Sequence, residues 1–522
     1  MATSKTFILF FFFALIYYYP AIQTQSINFR DEAQLLEPLA QLNSVHKYWE
    51  KWKEGKILDV QPLRDLSYFL DISIAKMTGS QLIFYLSNFL FLAIIIFYFY
   101  LIALIIFEKS STALITSFLL FFHPIWLNVV PWIASRKHLM SVAFFLIFLY
   151  KIINSLKTNR KIAHKNFFYL LLSWISHPIT IFAPLGLIFI KQIRNSITFW
   201  VIYFLMLCFL FSINFWKYGE RITSFNNPFL QFWQTLGQTI YQILSYDTYV
   251  FIYYPNNFKI ISGIMFGLVI LLIVIKYKFY KKTYFFLFTG LFVCSILPYV
   301  LFFYNDSYAI LPLVSFFALL SITLQSKTFS SQSKFLRYGL LAVLLILTAR
   351  SLILRSKVLA SWENFYTLIE YNYQQEPSVE VKYNFAALLQ DKNPAKALAI
   401  IDSITPLDLQ TLAPYFVRFY AYVYCEILLA NKSLSADEKI VRWDKSKDIH
   451  YIFKIYQSLF FHLNSIAVQN NQNILSLKTI YSQINNMGRY QKKILSHLKK
   501  ICNQSKYSED LCLQINLTTI EE

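Results

Sequence analysis

The chain is poor in most of what builds a water-soluble or cross-linked domain. Only 15% of its 522 residues are charged, where a soluble protein carries about a quarter. Five cysteines are too few for a disulfide scaffold. With 10 glycines and 15 prolines, collagen-like and low-complexity disordered chains are also excluded. Gly-x-Gly-x-x-Gly, Gly-x-Ser-x-Gly, His-Glu-x-x-His and Cys-x-x-Cys are all absent, so no phosphate loop, nucleophile elbow or metal helix is spelled out, and no metal or cofactor is expected. What the chain has instead is 57% hydrophobic and 19% aromatic residues, with a mean hydropathy of +0.45. Those proportions predict an integral membrane protein, partnered by a lipid bilayer.

A membrane-spanning helix needs about 20 mainly apolar residues at roughly 1.5 Å per residue. By that measure the sequence predicts an all-α, polytopic bundle of about eleven spans. They fall near Phe7–Ala21, Gln81–Phe107, Thr112–Pro131, Leu139–Ile153, Phe167–Ser176, Pro178–Ile190, Thr198–Trp216, Phe258–Ile275, Tyr284–Phe303, Tyr308–Gln325 and Phe335–Leu354. The fifth and sixth are short, and one span kinked at His177-Pro178 is the alternative reading. Phe7–Ala21 also has the length of a signal-peptide core, with Lys5 before it, but no small-x-small cleavage site comes after it.

The formal net charge is +20, which in a soluble chain would suggest a nucleic-acid surface. Its distribution says otherwise. With the N-terminus inside and the spans alternating, the inner segments hold 16 basic residues and one acidic, Glu108, as the positive-inside rule requires. The chain from Arg350 onward holds 20 basic and 16 acidic residues. The charge is therefore an orientation signal, and no nucleic-acid partner is expected.

This orientation predicts two long outer loops, 23–80 and 217–257, the first reading as short amphipathic helices at the membrane surface. Chemically capable residues collect on the same side. Asp31 and Glu32 come soon after the first span, His123-Pro124 lies in the third, Arg136-Lys137-His138 fills the next outer loop, and Asp306 and Tyr308 fall in another. Charged groups at the rim of a helical bundle are candidates for a substrate site.

From about residue 355 to 522 hydropathy collapses into a helix-rich outer domain. Ala386 and Ala387, then Ala395, Ala397 and Ala399, flank a break at Asn393-Pro394. Small residues so placed predict a tetratricopeptide-type (TPR) hairpin able to bind a protein partner, with an ordinary helical bundle as the alternative. Cys502 and Cys512 could pair in an oxidising compartment.

The motif order resembles the transmembrane-and-TPR O-mannosyltransferases and their bacterial relatives, polytopic glycosyltransferases of the C-type fold (GT-C). The resemblance rests on Asp31-Glu32, on Gln61-Pro62-Leu63-Arg64-Asp65-Leu66-Ser67-Tyr68-Phe69, and on Ser173-Trp174-Ile175-Ser176-His177-Pro178. It rests most of all on the run from His123-Pro124 through Trp132 to Ser135-Arg136-Lys137-His138, with Asp306-Ser307-Tyr308 behind it. It implies a glycosyltransferase domain over 1–354 that moves a hexose, such as mannose, from a polyprenyl-phosphate carrier to a protein or glycan hydroxyl on the outer face. Asp31 is then the general base and Glu32 its neighbour. Arg136 and Lys137 hold the donor phosphate, while His123, His138, Asp306 and Tyr308 organise the site. Localisation is expected in the inner or plasma membrane of a bacterium or the endoplasmic reticulum of a eukaryote, with the C-terminal domain extracytoplasmic. Trp126 and Asn128 stand where the family carries a second His and a Glu, so the alternative is an inactive relative acting as a membrane scaffold.

Overall fold

The computed structural model describes residues 2–22, 39, 46, 47, 50, 61–218, 228–245, 257–276, 283–300, 309–324, 334–375, 378–390 and 392–404. All regular structure among the described residues is helical. The chain divides into two compact units, Met1–Leu368 and Ile369–Glu522. The expected boundary at 354 falls inside a single helix, Lys334–Ser361.

The first unit is built around α1 (Ala2–Ile22), α2 (Pro62–Thr78), α3 (Leu82–Phe107), α4 (Ser110–Phe121), the single turn α5 (Ile125–Val129) and α6 (Arg136–Lys157). Three helical segments among the described residues, Ser4–Ile22, Leu82–Phe107 and Ile133–Lys157, are long and apolar enough to cross a membrane. Helix α3 packs against α1, α4 and α6. Its seam with α1 and α4 is aromatic: Phe7 meets Phe97 at 5.5 Å, and Phe10 meets Tyr100 at 6.2 Å and Phe118 at 5.6 Å, all edge to face. That geometry aligns the positive edge of one ring with the negative face of the next.

Pro20 lies inside α1 and has no N–H to give the Ile16 carbonyl four residues back. Arg355, on the helix Lys334–Ser361, supplies a donor in its place and a second one to the next carbonyl. Its Nη2 donates to the Ile16 carbonyl at 2.9 Å and its Nε to the Tyr17 carbonyl at 2.5 Å. The guanidinium also rests 4.6 Å over the Tyr17 ring.

One expected span is interrupted, and the run of apolar chain breaks a second time between two others. Thr112–Pro131 is not one helix, since α4 stops at Phe121 and α5 starts at Ile125. The physical cause is His123-Pro124. Pro124 cannot donate a helical hydrogen bond, and the His123 Nδ1 accepts the Ile125 N–H at 3.2 Å, starting the next turn. The second interruption comes after α7 (Phe167–Ser176), at His177, whose backbone is extended with φ −169° and ψ 138°. From Pro178 to Phe189 the chain forms 3₁₀ turns. The predicted break at His177-Pro178 is present, and the segment beyond it is not an α-helix.

After the short α8 (Lys191–Arg194) come α9 (Ile197–Tyr218), α10 (Pro228–Ser245), α11 (Asn257–Lys276), α12 (Thr283–Val300), α13 (Ile310–Leu324) and α14 (Lys334–Ser361). Glycines set two of the closest contacts. A Cβ on Gly263 would sit 2.6 Å from the Gly237 carbonyl carbon, and one on Gly186 would sit 2.6 Å from the Leu291 backbone nitrogen. Among the described residues, Gly186, Gly237, Gly263 and Gly290 meet neighbouring chain so closely that a methyl group would collide. Small residues at helix crossings let backbones approach where no hydrophobic effect drives association.

Helix α15 (Phe365–Gln375) is capped at its start by Asn364 and Thr367. The Asn364 Oδ1 accepts the Thr367 N–H at 3.0 Å, and the Thr367 Oγ1 accepts the Asn364 N–H at 3.1 Å. In the second unit α16 (Val379–Leu389) and α17 (Pro394–Asp402) form an antiparallel pair. The turn falls at the predicted Asn393-Pro394, where the Asn393 side chain accepts the Lys396 N–H at 3.0 Å. Ala386 and Ala397 are completely buried, whereas Ala395 and Ala399 are exposed. Cys502 and Cys512 lie outside the described residues.

Candidate functional site

Helix α2 buries three of its charged residues, Arg64, Asp65 and Asp71. Pro62 starts it, and Gly79 ends it in a left-handed conformation, φ 66°, donating its N–H to the Ala75 carbonyl. That conformation costs glycine nothing. The buried residues are Arg64, Asp65, Tyr68, Asp71 and Ile72, at helical spacing along one face. Against this face lie the first turns of α3 and the segment from Val130 to Arg136.

Arg136 is the centre of the arrangement and is fully buried. Its Nη1 pairs with the Asp71 Oδ2 at 2.6 Å and reaches the Ser67 Oγ at 3.4 Å. Its Nη2 donates to the Phe84 carbonyl at 2.8 Å, and its Nε to the Asn88 Oδ1 at 3.1 Å. Tyr68 stacks beneath the guanidinium, 4.6 Å away. The Tyr68 hydroxyl donates to the Ile133 carbonyl at 2.8 Å, and the Asn88 Nδ2 to the Val130 carbonyl at 2.9 Å. Tyr68 and Asn88 therefore hold both the cation and the loop that presents it.

Asp71 also accepts the Ser87 hydroxyl at 3.0 Å. Burial raises its carboxyl above the ordinary value, outweighing the opposing pull of Arg136 and Ser87. A second ion pair is adjacent in sequence: the Arg64 Nη2 lies 2.6 Å from the Asp65 Oδ1, and the Arg64 Nη1 donates to the Gln61 Oε1 at 3.2 Å. His138, in the first turn of α6, is buried with its ring centroid 4.5 Å from that of His177. Below the imidazoles a hydroxyl cluster joins α6 to α7 and the turn after it. Ser173 lies 2.6 Å from Thr180, and the Ser141 hydroxyl donates to the His177 carbonyl at 2.8 Å.

The expected site residues separate into three groups. Arg136, Lys137 and His138 are consecutive at the start of α6, with Arg136 and His138 buried and Lys137 half-buried. His123 is engaged by other elements: its Nε2 bonds the Ile243 carbonyl at 3.0 Å, and its ring meets Phe317 edge to face at 6.0 Å. Asp31, Glu32, Asp306 and Tyr308 lie outside the described residues.

Asp71 and Asn88 were not anticipated from sequence. Asn88 had a signal, as an amide inside an otherwise apolar run, and so did Asp71, which falls seven residues after Arg64 on the same helical face. His177 and the Arg64-Asp65 pair lay in quoted motifs without being given roles.

Chemically, the cluster gathers three basic side chains, Arg64, Arg136 and Lys137, and two carboxylates, Asp65 and Asp71, with two imidazoles beside them. Buried charges persist when they are paired and hydrogen-bonded. A surplus of cation over carboxylate suits a bound anion. Among the described residues no group of three His, Cys, Asp or Glu side chains is placed to hold a metal. No family model, curated protein or solved structure matches this chain.

Proposed function

We propose that the chain is a multi-pass membrane glycosyltransferase of the GT-C type. It would move a hexose from a polyprenyl-phosphate donor to a hydroxyl of a protein or glycan. The observation that carries this reading is the buried cationic cluster around Arg136, at one end of a long apolar helix. A lipid-linked phosphate needs both features, an acyl-lined approach and positive charge awaiting the leaving group. Four hydrogen bonds occupy Arg136, leaving one N–H of Nη2 for a further acceptor.

In the reaction Asp31 takes the proton of the acceptor hydroxyl, with Glu32 beside it. The acceptor oxygen then attacks the anomeric carbon, and the bond from that carbon to the phosphate oxygen breaks. The polyprenyl phosphate departs with the electron pair, its charge met by Arg136 and Lys137. His138 holds the entrance of α6 in register, and His123, Asp306 and Tyr308 complete the surroundings. The reading includes about eleven spans, the bundle and the C-terminal helices as a degenerate TPR-like domain facing away from the cytoplasm.

Asp31→Asn tests it. Transfer from a polyprenyl-phosphate hexose to acceptor is expected to fall by about 100-fold or more, while binding of the donor lipid stays at the wild-type level. Unchanged transfer refutes the assignment of the base, and a wild-type chain that neither transfers sugar nor binds the lipid refutes the enzyme.

One observation favours a second reading, a non-catalytic scaffold. Arg136 is so fully engaged by Asp71, Ser67, Phe84 and Asn88 that it serves equally as a structural post. An α16–α17 hairpin closed over Ala386 and Ala397 is the kind of unit from which partner-binding repeats are stacked.

A further inference from the structure

Arg355 differs from Arg64 and Arg136 in having no counter-charge. Those two each lie 2.6 Å from a carboxylate oxygen. Arg355 is half-buried and, among the described residues, its hydrogen bonds go only to the Ile16 and Tyr17 carbonyls. A guanidinium has five N–H groups, so three of its own remain to be met. Neither helix of this junction, α1 or α14, carries an acidic residue, whereas Arg350 and Lys357 stand exposed beside Arg355 in the sequence of α14. A cation partly withdrawn from water is stabilised by an anion at close range.

Hydroxyls without partners lie next to it. The side-chain oxygens of Tyr17, Tyr18 and Ser351 are buried and make no hydrogen bond, and the three residues are 6%, 0% and 1% exposed. Tyr17 connects them to the cation. Its ring lies 4.6 Å from the Arg355 guanidinium and 4.9 Å from the Tyr18 ring, and its hydroxyl is beside Ser351, one turn before Arg355 on α14. A serine or threonine inside a helix can settle its hydroxyl on a carbonyl one turn back, as Thr348 of the same helix does with Leu344 at 2.8 Å. Ser351 does not. Each of these groups can donate a hydrogen bond and none is negative, which is the donor set that suits an oxyanion.

The flanks of the site show what carries that oxyanion. Ile16, whose carbonyl holds Arg355, is 54% exposed, and Ile353, two residues before Arg355, is 76% exposed. Phe12 and Ile346 continue the exposed apolar surface along α1 and α14. Such surface gains from hydrocarbon and not from water. We propose that Arg355, with Ser351 and Tyr17, binds the phosphate group of a membrane lipid whose acyl chains lie along these residues. The phosphate supplies the missing counter-charge and ties α1 to α14. The site shares no residue with the Arg136 cluster, so the inference stands whether or not the chain transfers sugar.

Full-length protein, delipidated in detergent, tests it by native mass spectrometry and thermal melts with added phosphatidylglycerol. One phosphatidylglycerol per chain is expected to stay bound and to raise the melting temperature, where diacylglycerol, which has no phosphate, does neither. The double variant Tyr17→Phe with Ser351→Ala removes the hydroxyls and little else. Without lipid it is expected to melt no lower than wild type, because two unpartnered buried hydroxyls are gone, yet its rise with phosphatidylglycerol should be cut several-fold. Arg355→Met should abolish the rise, and Arg355→Lys, which keeps the charge without the fork, should retain part of it. An undiminished rise in the double variant and in Arg355→Met overturns the proposal, as does equal stabilisation by diacylglycerol. Inorganic phosphate producing the full effect alone would overturn the need for a lipid. One-for-one displacement of phosphatidylglycerol by undecaprenyl phosphate supports the lipid-phosphate chemistry with a polyprenyl carrier as its source, and retention of phosphatidylglycerol supports it with bulk phospholipid as the source.

Discussion

Two regions of the first unit are held together by opposite means. The junction of α2, α3 and α6 is joined by charge: Arg136 has four acceptors, and one of them is a carboxylate. The junction of α10 and α11 is set chiefly by close approach at Gly237 and Gly263, where backbone meets backbone, with the Lys259 ammonium 5.7 Å from the Tyr241 ring beside it. In an environment without water the first kind of joint is specific but fails badly when one member is removed. The second depends mainly on the absence of side chains at the crossing and is intolerant of any added atom there. A functional site belongs to the first kind, because only there are polar groups already assembled at low dielectric.

Arg136→Met is the hardest test of that contrast. It leaves Asp71 buried against Ser87 without its cation, and breaking a buried pair from one side costs about 3–5 kcal/mol. The purified protein is expected to lose thermal stability heavily. The double variant Arg136→Met with Asp71→Leu should recover most of the loss, since no buried charge remains. If the double variant is as unstable as the single one, the ion pair is not what joins α2 to α6.

Gly263→Ala attacks the other joint. Its new methyl would lie 2.6 Å from the Gly237 carbonyl carbon, with backbone rather than a side-chain tip in the way, so the helices must part. Overpacking of this kind costs about 1–3 kcal/mol. Gly267→Ala is the internal control. There the nearest atom is the Ile240 Cδ1 at 3.1 Å, the end of a flexible side chain, and the loss is expected to be the smaller of the two. A thermal melt that ranks them the other way would remove the glycine-contact argument.

Much of this architecture could be read beforehand, and the parts that could not share a cause. All-α character, the apolar runs, the breaks at His177-Pro178 and Asn393-Pro394, and the grouping of Arg136 with His138 all stem from composition, proline and local spacing. The stop at Phe121 was hidden because hydropathy continues unbroken through Phe122, while Pro124 breaks the helical ladder and the His123 ring, accepting the Ile125 N–H, starts the next turn. Asp71 and Asn88 were hidden because their meaning is pairwise. Each becomes a ligand of Arg136 only when segments 48 or more residues apart in sequence come together, and periodicity along one helix carries no information about that.

Arg355 probes a joint intermediate between the two, polar but not ionic. Arg355→Met removes two hydrogen bonds to carbonyls of α1, with an expected cost of about 1–2 kcal/mol. In a Pro20→Ala background the Ile16 carbonyl regains a helical N–H, so the same Arg355→Met change should cost less. The difference between the two measurements is the coupling energy of the cycle. A coupling of zero would mean that Arg355 does not compensate for the proline.

The smallest effect separates buried from exposed carboxylates by the sign of their pH dependence. Glu108 ends α3 and is fully exposed. Its hydrogen bond from Lys157, and after that the charge of the same lysine, holds its carboxyl below the ordinary value. Its contribution is therefore present above the ordinary carboxylate range and is lost as pH falls through the lowered value. Asp71 behaves in the reverse sense, because burial raises it. Its contribution is fully present below the ordinary value and is lost as pH rises through the raised one. In Lys157→Met the acid-side loss due to Glu108 should vanish, leaving a pH profile through the carboxylate range whose slope is set by Asp71. Because an exposed pair is worth little, this change needs melts at closely spaced pH values. If Lys157→Met leaves the acid limb untouched, the pair Glu108–Lys157 adds nothing to stability, and the contrast with Asp71 reduces to the single buried carboxylate.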